Sequence, residues 1–391
     1  MRQQAWQRFG LSGQQRQRGA RRGAVPAAAA VVVGALAMGA LAQPAASAAE
    51  RPDTVQQGLD ALVHSDGLPA ALASVNDPDG HARSYTAGVG DLATGAKVPT
   101  DGQVRIGSNT KAFTAVVVLQ LVGEGKIGLD SYVDTYLPGL VRGDGIDGRH
   151  ITVRQLLQHT SGLPNYTKYL DDDIHYYAPR ELLDRALKHK ADFDPGKKWA
   201  YSNTNYVLAG LLIEKVTRRP LAKEIDQRII KRVGLRHTYF PARGDVTIRE
   251  PHPHGYYQDS AGAPVVDATE WDPSWGWAAG QMISTNSDLN RFYTALLSGR
   301  LLPTAQLAQM RTTVPAGAPF ADGARYGLGL VSTPLSCGGV YWGHGGSTTG
   351  YETRGGVTAG GRAANVAVTS QPADETVMDR VTGVVDKALC R

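Results

Sequence analysis

Ser108-Asn109-Thr110-Lys111 runs directly into Ala112-Phe113-Thr114-Ala115-Val116-Val117-Val118-Leu119-Gln120-Leu121-Val122. A serine and a lysine three residues apart thus stand at the start of a long apolar segment. The spacing predicts a helix beginning near Ser108, in which one turn brings Lys111 back beneath the serine on the same face. Burial disfavours the charged form of an amine, lowers its pKa and leaves a neutral base beside the hydroxyl. Such a spacing also arises by chance, so the rest of the chain has to carry the reading.

Outward from this segment the chain alternates in type. Residues 51–65 read as a short helix with Leu59, Leu62 and Val63 on one face. Residues 70–75 and 82–89 read as strands joined by the turn Asp77-Pro78-Asp79-Gly80. The middle is helical: residues 153–159, stopped by Thr160-Ser161-Gly162-Leu163-Pro164, a helix opening at Pro179, residues 205–217, and a further helix from Pro220 through Ile230. The last third returns to mixed structure. Residues 286–297 form a helix capped by Ser284 or Thr285, and residues 326–332 and 339–342 form paired strands. Residues 364–368 form a buried strand, and residues 375–389 form a terminal helix. The pattern is an α/β sheet built from both chain ends, residues 49–135 and 271–391, around an all-helical insertion over residues 136–270.

The first 48 residues differ from the remainder. They carry six arginines and no acid, then an Ala/Val-rich stretch from Ala27 to Leu41, then small residues ending Ala46-Ser47-Ala48. That order predicts a secretory signal peptide over residues 1–48. A retained anchor is the alternative, but the apolar stretch falls short of the roughly 20 residues a span needs. Secretion is the expected localisation, with no stable membrane span after cleavage. The net charge of +5 then belongs to the signal, and the mature chain carries about −1. No nucleic-acid motif accompanies the basic residues, so no nucleic-acid partner is expected. The two cysteines, Cys337 and Cys390, suggest one disulfide in an exported chain, with two buried thiols as the alternative.

Two further stretches place chemistry-bearing groups in loops. Tyr201-Ser202-Asn203 lies in a loop that leads into a helix, where a phenol can pass a proton and an amide can hold a carbonyl. Gly343-His344-Gly345-Gly346 ends the aromatic strand Val340-Tyr341-Trp342. Glycines there let a ligand approach the backbone, and a strand N–H can face the serine as half of an oxyanion hole.

S-x-x-K, Y-x-N and H-x-G in that order resemble the serine penicillin-recognising enzymes, in particular the D-alanyl-D-alanine carboxypeptidases and class C β-lactamases. Gln158-His159-Thr160-Ser161-Gly162-Leu163-Pro164, Ala279-Gly280-Gln281-Met282-Ile283-Ser284-Thr285-Asn286-Ser287-Asp288-Leu289 and Tyr326-Gly327-Leu328-Gly329 extend the resemblance over residues 52–390. It implies a β-lactamase/transpeptidase-like fold, an antiparallel sheet flanked by helices. It implies Ser108 as the acylated nucleophile and Lys111 and Tyr201 as the proton-transfer pair. His344 would keep the phenolic proton mobile. Asn203 would orient the substrate amide, and the N–H groups of Ser108 and Ser347 would hold the oxyanion. Gly346 and Trp275 would line the substrate cleft. The expected substrate is a small or cell-wall peptide ending in D-Ala-D-Ala, with β-lactams as inhibitors or substrates. One residue departs from the pattern: Gly345 stands where carboxypeptidases carry Thr or Ser to grip a terminal carboxylate. Ser347 or Thr348 would have to compensate, and Arg325 or Arg354 would complete the grip. Gly345 therefore favours the alternatives on the same scaffold: an esterase, a D-amino-acid amidase or a class C-type β-lactamase. A penicillin-binding sensor without turnover is a third reading, opposed by the intact polar positions.

No cofactor is expected, and no metal. His252 and His254 read as loop histidines, Asp171-Asp172-Asp173 as a solvated loop, and Gly88-Val89-Gly90 lacks the context of a nucleotide loop.

Overall fold

The structure, a computed structural model, describes residues 53–170, 175–260 and 262–391. The expected signal peptide and the Asp171-Asp172-Asp173 triplet lie outside the described residues.

The centre is an antiparallel sheet of ten strands, numbered along the chain: β1 Ala70–Asn76, β2 Ala82–Asp91, β3 Ala96–Lys97, β4 Val314–Pro315, β5 Arg325–Tyr326, β6 Val331–Pro334, β7 Val340–Gly343, β8 Gly346–Thr348, β9 Tyr351–Thr358 and β10 Ala363–Val368. Their spatial order is β4-β5-β6-β7-β9-β10-β1-β2-β3, with β8 also paired to β9. The first strand therefore lies beside the last, with Leu72 opposite Ala367. The sheet is indeed assembled from both ends of the chain.

Both faces are covered, so β1 is buried on both sides rather than alternating. Helices α1, Thr54–His64, and α5, Glu375–Leu389, close one face. Their Val55, Leu59, Leu62, Val381, Val384 and Val385 pack on Ala71, Ala73, Val75, Val366 and Val368. Asp53 caps α1 and Asp374 caps α5, each accepting a first-turn backbone N–H. The Cys337–Cys390 disulfide ties the end of α5 to the β6–β7 turn. On the other face lie α2, Thr110–Gly123, α3, Thr204–Thr217, and α4, Asn286–Leu297. Every residue of α2 from Thr110 to Leu121 is buried, as the continuous apolar run requires of a central helix. Thr285 is the cap of α4. The buried amides of Asn286 and Asn290 donate to the β1 carbonyls of Leu72 and Ser74.

Three expectations need correction. Residues 326–332 do not form one strand. The chain folds back between β5 and β6 through Gly327-Leu328-Gly329-Leu330, where Gly327 N donates to Leu330 O and Gly329 takes φ +75°. The insertion over residues 136–270 is not wholly helical. It holds two-residue ladders, Arg142–Gly143 with Ile146–Asp147 and Tyr256–Tyr257 with Val266–Asp267. Each strand is only two residues long, too short to leave a periodic pattern. The helix after Pro220 continues to Val233 through a π-turn at Asp226–Ile230. No helix among the described residues is long and apolar enough to cross a membrane.

Candidate active site

Ser108 sits in a single 3₁₀ turn, Gly107–Asn109, that leads into α2. The turn is anchored from behind: Asn109, fully buried, donates to the Thr353 hydroxyl at 2.8 Å and accepts from the Tyr293 hydroxyl at 2.7 Å. Lys111 lies one turn on, with no exposed surface. Its Nζ is 2.9 Å from Ser108 Oγ, 2.7 Å from Asn203 Oδ1 and 2.7 Å from the Ala279 carbonyl. Burial drives the lysine pKa well below its ordinary value. A neutral amine has two hydrogens and one lone pair. Asn203 Oδ1 and the Ala279 carbonyl can only accept, so they take both hydrogens and leave the lone pair facing Ser108. The arrangement is that of a base poised on a hydroxyl.

Tyr201 completes the group. Its ring centroid lies 4.9 Å from Lys111 Nζ, and burial raises its pKa, so the phenol keeps its proton at neutral pH. Asn203 is held by Asn165 Oδ1, which accepts from both its backbone N–H at 3.1 Å and its side-chain amide at 3.3 Å. The serine, lysine, tyrosine and asparagine of the first two motifs therefore meet, although the second lies more than 90 positions downstream of the first.

The third motif runs alongside. A Cβ placed on Gly346 would lie 2.0 Å from the Ile106 carbonyl and 2.9 Å from Ser108 N. Only glycine lets β8 approach Ser108 so closely, and this brings Ser347 up against the Ser108 turn. His344 is 3% exposed. Its Nδ1 donates to the Gly345 carbonyl at 2.6 Å, so Nε2 accepts from the Tyr326 hydroxyl at 3.0 Å. Burial and the nearby Lys111 pull its pKa down to about 3. Its direct partner is thus Tyr326 rather than Tyr201, whose ring centroid lies 6.4 Å away. Trp275 occupies a short turn, Pro273–Trp275, where its carbonyl accepts from Tyr166.

Residues that single-motif reading did not assign complete the site. His159, fully buried, packs against the rings of Tyr201 at 4.4 Å, Tyr326 at 4.8 Å and Tyr206 at 5.3 Å. Its Nδ1 accepts from Ser202 N and from the Asn205 amide. The stretch from Gln158 to Pro164 was its signal, although its role shows only in three dimensions. Of the two candidate arginines, Arg325 is exposed on β5 and engaged with Thr313, whereas Arg354 packs beneath Gly345. Ser347 does not offer a free hydroxyl: it donates to Glu352. No group of histidine, cysteine, aspartate and glutamate side chains among the described residues is arranged to hold a metal ion.

The pattern that defines the Beta-lactamase family matches residues 53–387, and the chain belongs to that family of serine hydrolases. Among solved structures it resembles a D-stereospecific amidohydrolase from Streptomyces sp., with 42% identity, TM-score 0.76, and coverage of 84% of this chain and 97% of that one. It also resembles the D-amino acid amidase of Ochrobactrum anthropi SV3, solved with L-phenylalanine amide, at 28% identity and TM-score 0.75 over 85% of this chain and 98% of that one. Protein flp of Staphylococcus aureus (strain MW2) is 29% identical over 215 residues, 52% of this chain and 41% of that protein. The chain thus matches well under half the length of that curated relative.

Proposed function

We propose that this protein is a serine amidohydrolase that cleaves amides and esters of D-configured amino acids through an acyl-enzyme on Ser108. The observation that carries the reading is the 2.9 Å contact between Ser108 Oγ and a buried Lys111 whose two other contacts are pure acceptors. The lysine lone pair takes the hydroxyl proton as Oγ bonds to the substrate carbonyl carbon. The carbonyl electron pair moves onto oxygen, beside the N–H groups of Ser108 and Ser347. Collapse returns that pair and breaks the bond to the leaving amine or alcohol, which takes its proton from Tyr201 or from the lysine ammonium. Water then repeats the sequence on the ester. The 42% likeness to a D-stereospecific amidohydrolase supports the substrate class.

The order S-x-x-K, Y-x-N, H-x-G supports the carboxypeptidase reading, and Gly345 opposes it. Under the carboxypeptidase reading penicillins acylate Ser108, and under both readings residues 1–48 direct export. The test is hydrolysis of D-phenylalanine amide, its L enantiomer and an acetyl-D-Ala-D-Ala peptide, together with labelling by a fluorescent penicillin. Turnover of the D-amide, absent in Ser108→Ala, is the expected result. Release of D-alanine from the peptide with no amidase activity would replace the amidase reading, and no turnover or label on any probe would remove both.

A further inference from the structure

The ladder between β8 and β9 explains the missing side chain at position 345. β7 and β8 pair with β9 in one continuous register, Gly343 opposite Gly356 and Gly346 opposite Thr353. Gly345 therefore faces Arg354 across the ladder, as Ser347 faces Glu352. Cross-strand neighbours share a face. A Cβ on Gly345 would lie 2.5 Å from Arg354 Nη1 and 3.0 Å from its Cδ and Cζ, so the guanidinium fills the space a side chain would take. That nitrogen donates to Glu352 Oε1 and to the Thr353 carbonyl, while the Ser347 hydroxyl donates to Glu352 Oε2. Each oxygen of the buried carboxylate has one partner, and both partners come from this strand pair. The side chains are 1% exposed for Glu352 and 17% for Arg354.

The pair lies where a leaving group would depart. The His344 ring lies 6.4 Å from that of Tyr201, and Gly345, the next residue, abuts Arg354, so a group expelled toward Tyr201 passes the pair. A departing carboxylate there would have to compete with Glu352 for the guanidinium, next to a like charge. An uncharged amide or alcohol meets an electrically balanced pair. Building on the acyl-transfer reading, we propose that the Glu352–Arg354 pair behind Gly345 is a charge filter, selecting substrates whose leaving-group arm is uncharged and excluding those that end in a carboxylate.

The test compares three substrates that differ only at the C-terminus: acetyl-D-Ala-D-Ala, its amide and its aminoethyl amide, which carries an ammonium. In Glu352→Gln the cluster gains a net positive charge, and the ratio of kcat/KM for the carboxylate to that for the amide should rise at least about tenfold, a Coulombic effect at close range. In Arg354→Gln the cluster becomes negative, and the ammonium substrate should gain by a similar factor over the neutral amide. The double variant, neutral again, should return to the parent ratios. The Arg354→Gln arm stands alone if Glu352→Gln fails to fold. Equal losses on all three substrates, with ratios within twofold of the parent, would reduce the pair to scaffolding and overturn the filter while leaving the hydrolase reading intact. A parent that turns over none of the three, nor D-phenylalanine amide, would overturn the hydrolase reading and the filter with it.

Discussion

The two faces of the sheet follow opposite rules. The face under α1 and α5 is closed mostly by valine, leucine and alanine, with ion pairs such as Arg391–Asp53 at its rim and Glu352–Arg354 beside Val368 and Val366. The face under α2, α3 and α4 buries Lys111, His159, Asn205 and His344 among apolar packing. One face gains stability from every buried atom. The other gives some up, because a lysine or histidine kept dry must remain neutral. The contrast indicates that folding and chemistry are divided between the faces, and substitutions on each should show it.

The largest effect is expected from Lys111→Met. Loss of the base should lower kcat/KM by about 10⁴-fold, whereas stability should change by only about 1 kcal/mol, because the cost of drying the amine disappears with its hydrogen bonds. A large fall in the thermal midpoint would mean that the buried amine also supports the fold. Cys390→Ala is the counterpart on the other face. Opening the link between positions 53 apart should cost up to about 4 kcal/mol, read from denaturant midpoints, with activity per folded molecule unchanged within about twofold. Leu59→Ala, in the same layer, should cost about 3 kcal/mol and likewise spare activity. A loss of kcat on Leu59→Ala beyond the loss of folded protein would show that the faces are coupled.

The smallest expected change, counted per pH unit, comes from titration. His344, held at about 3, stays neutral in the folded protein but binds a proton near 6.5 when unfolded. Its burial therefore leaves stability complete above about pH 6.5 and erodes it as pH falls toward 3, by at most about 1.4 kcal/mol per pH unit. His159, shifted the same way by burial, adds to the slope. Thermal midpoints of His344→Asn should fall less steeply over this window than those of the parent. An unchanged slope would place the acid sensitivity elsewhere.

The legible part of the sequence was what short spacing encodes. Ser108 and Lys111 share a helical turn, the hairpin turn names itself, and the 375–389 helix matches its observed bounds. The motifs stood in the right order for one cleft. What remained hidden was every partner supplied from a distance: Asn165 steadying Asn203, the Ala279 carbonyl on Lys111, and Glu352 neutralising Arg354. These are ordinary residues locally, and only the register of β8 against β9 gives them meaning. Gly345 shows the limit best. As a sequence it read as a missing hydroxyl, whereas in the ladder it is the room that an arginine occupies. The broken 326–332 strand failed for a related reason, since its turn is fixed by a single backbone bond.

The pairing of β1 with β10 also constrains the order of assembly. A chain emerging from the ribosome holds residue 72 for nearly three hundred further residues before its neighbour, residue 367, exists. The central ladder cannot close until synthesis is almost finished. The half-made protein therefore carries Ser108 without the strand that must lie beside it, and the complete pocket arrives last.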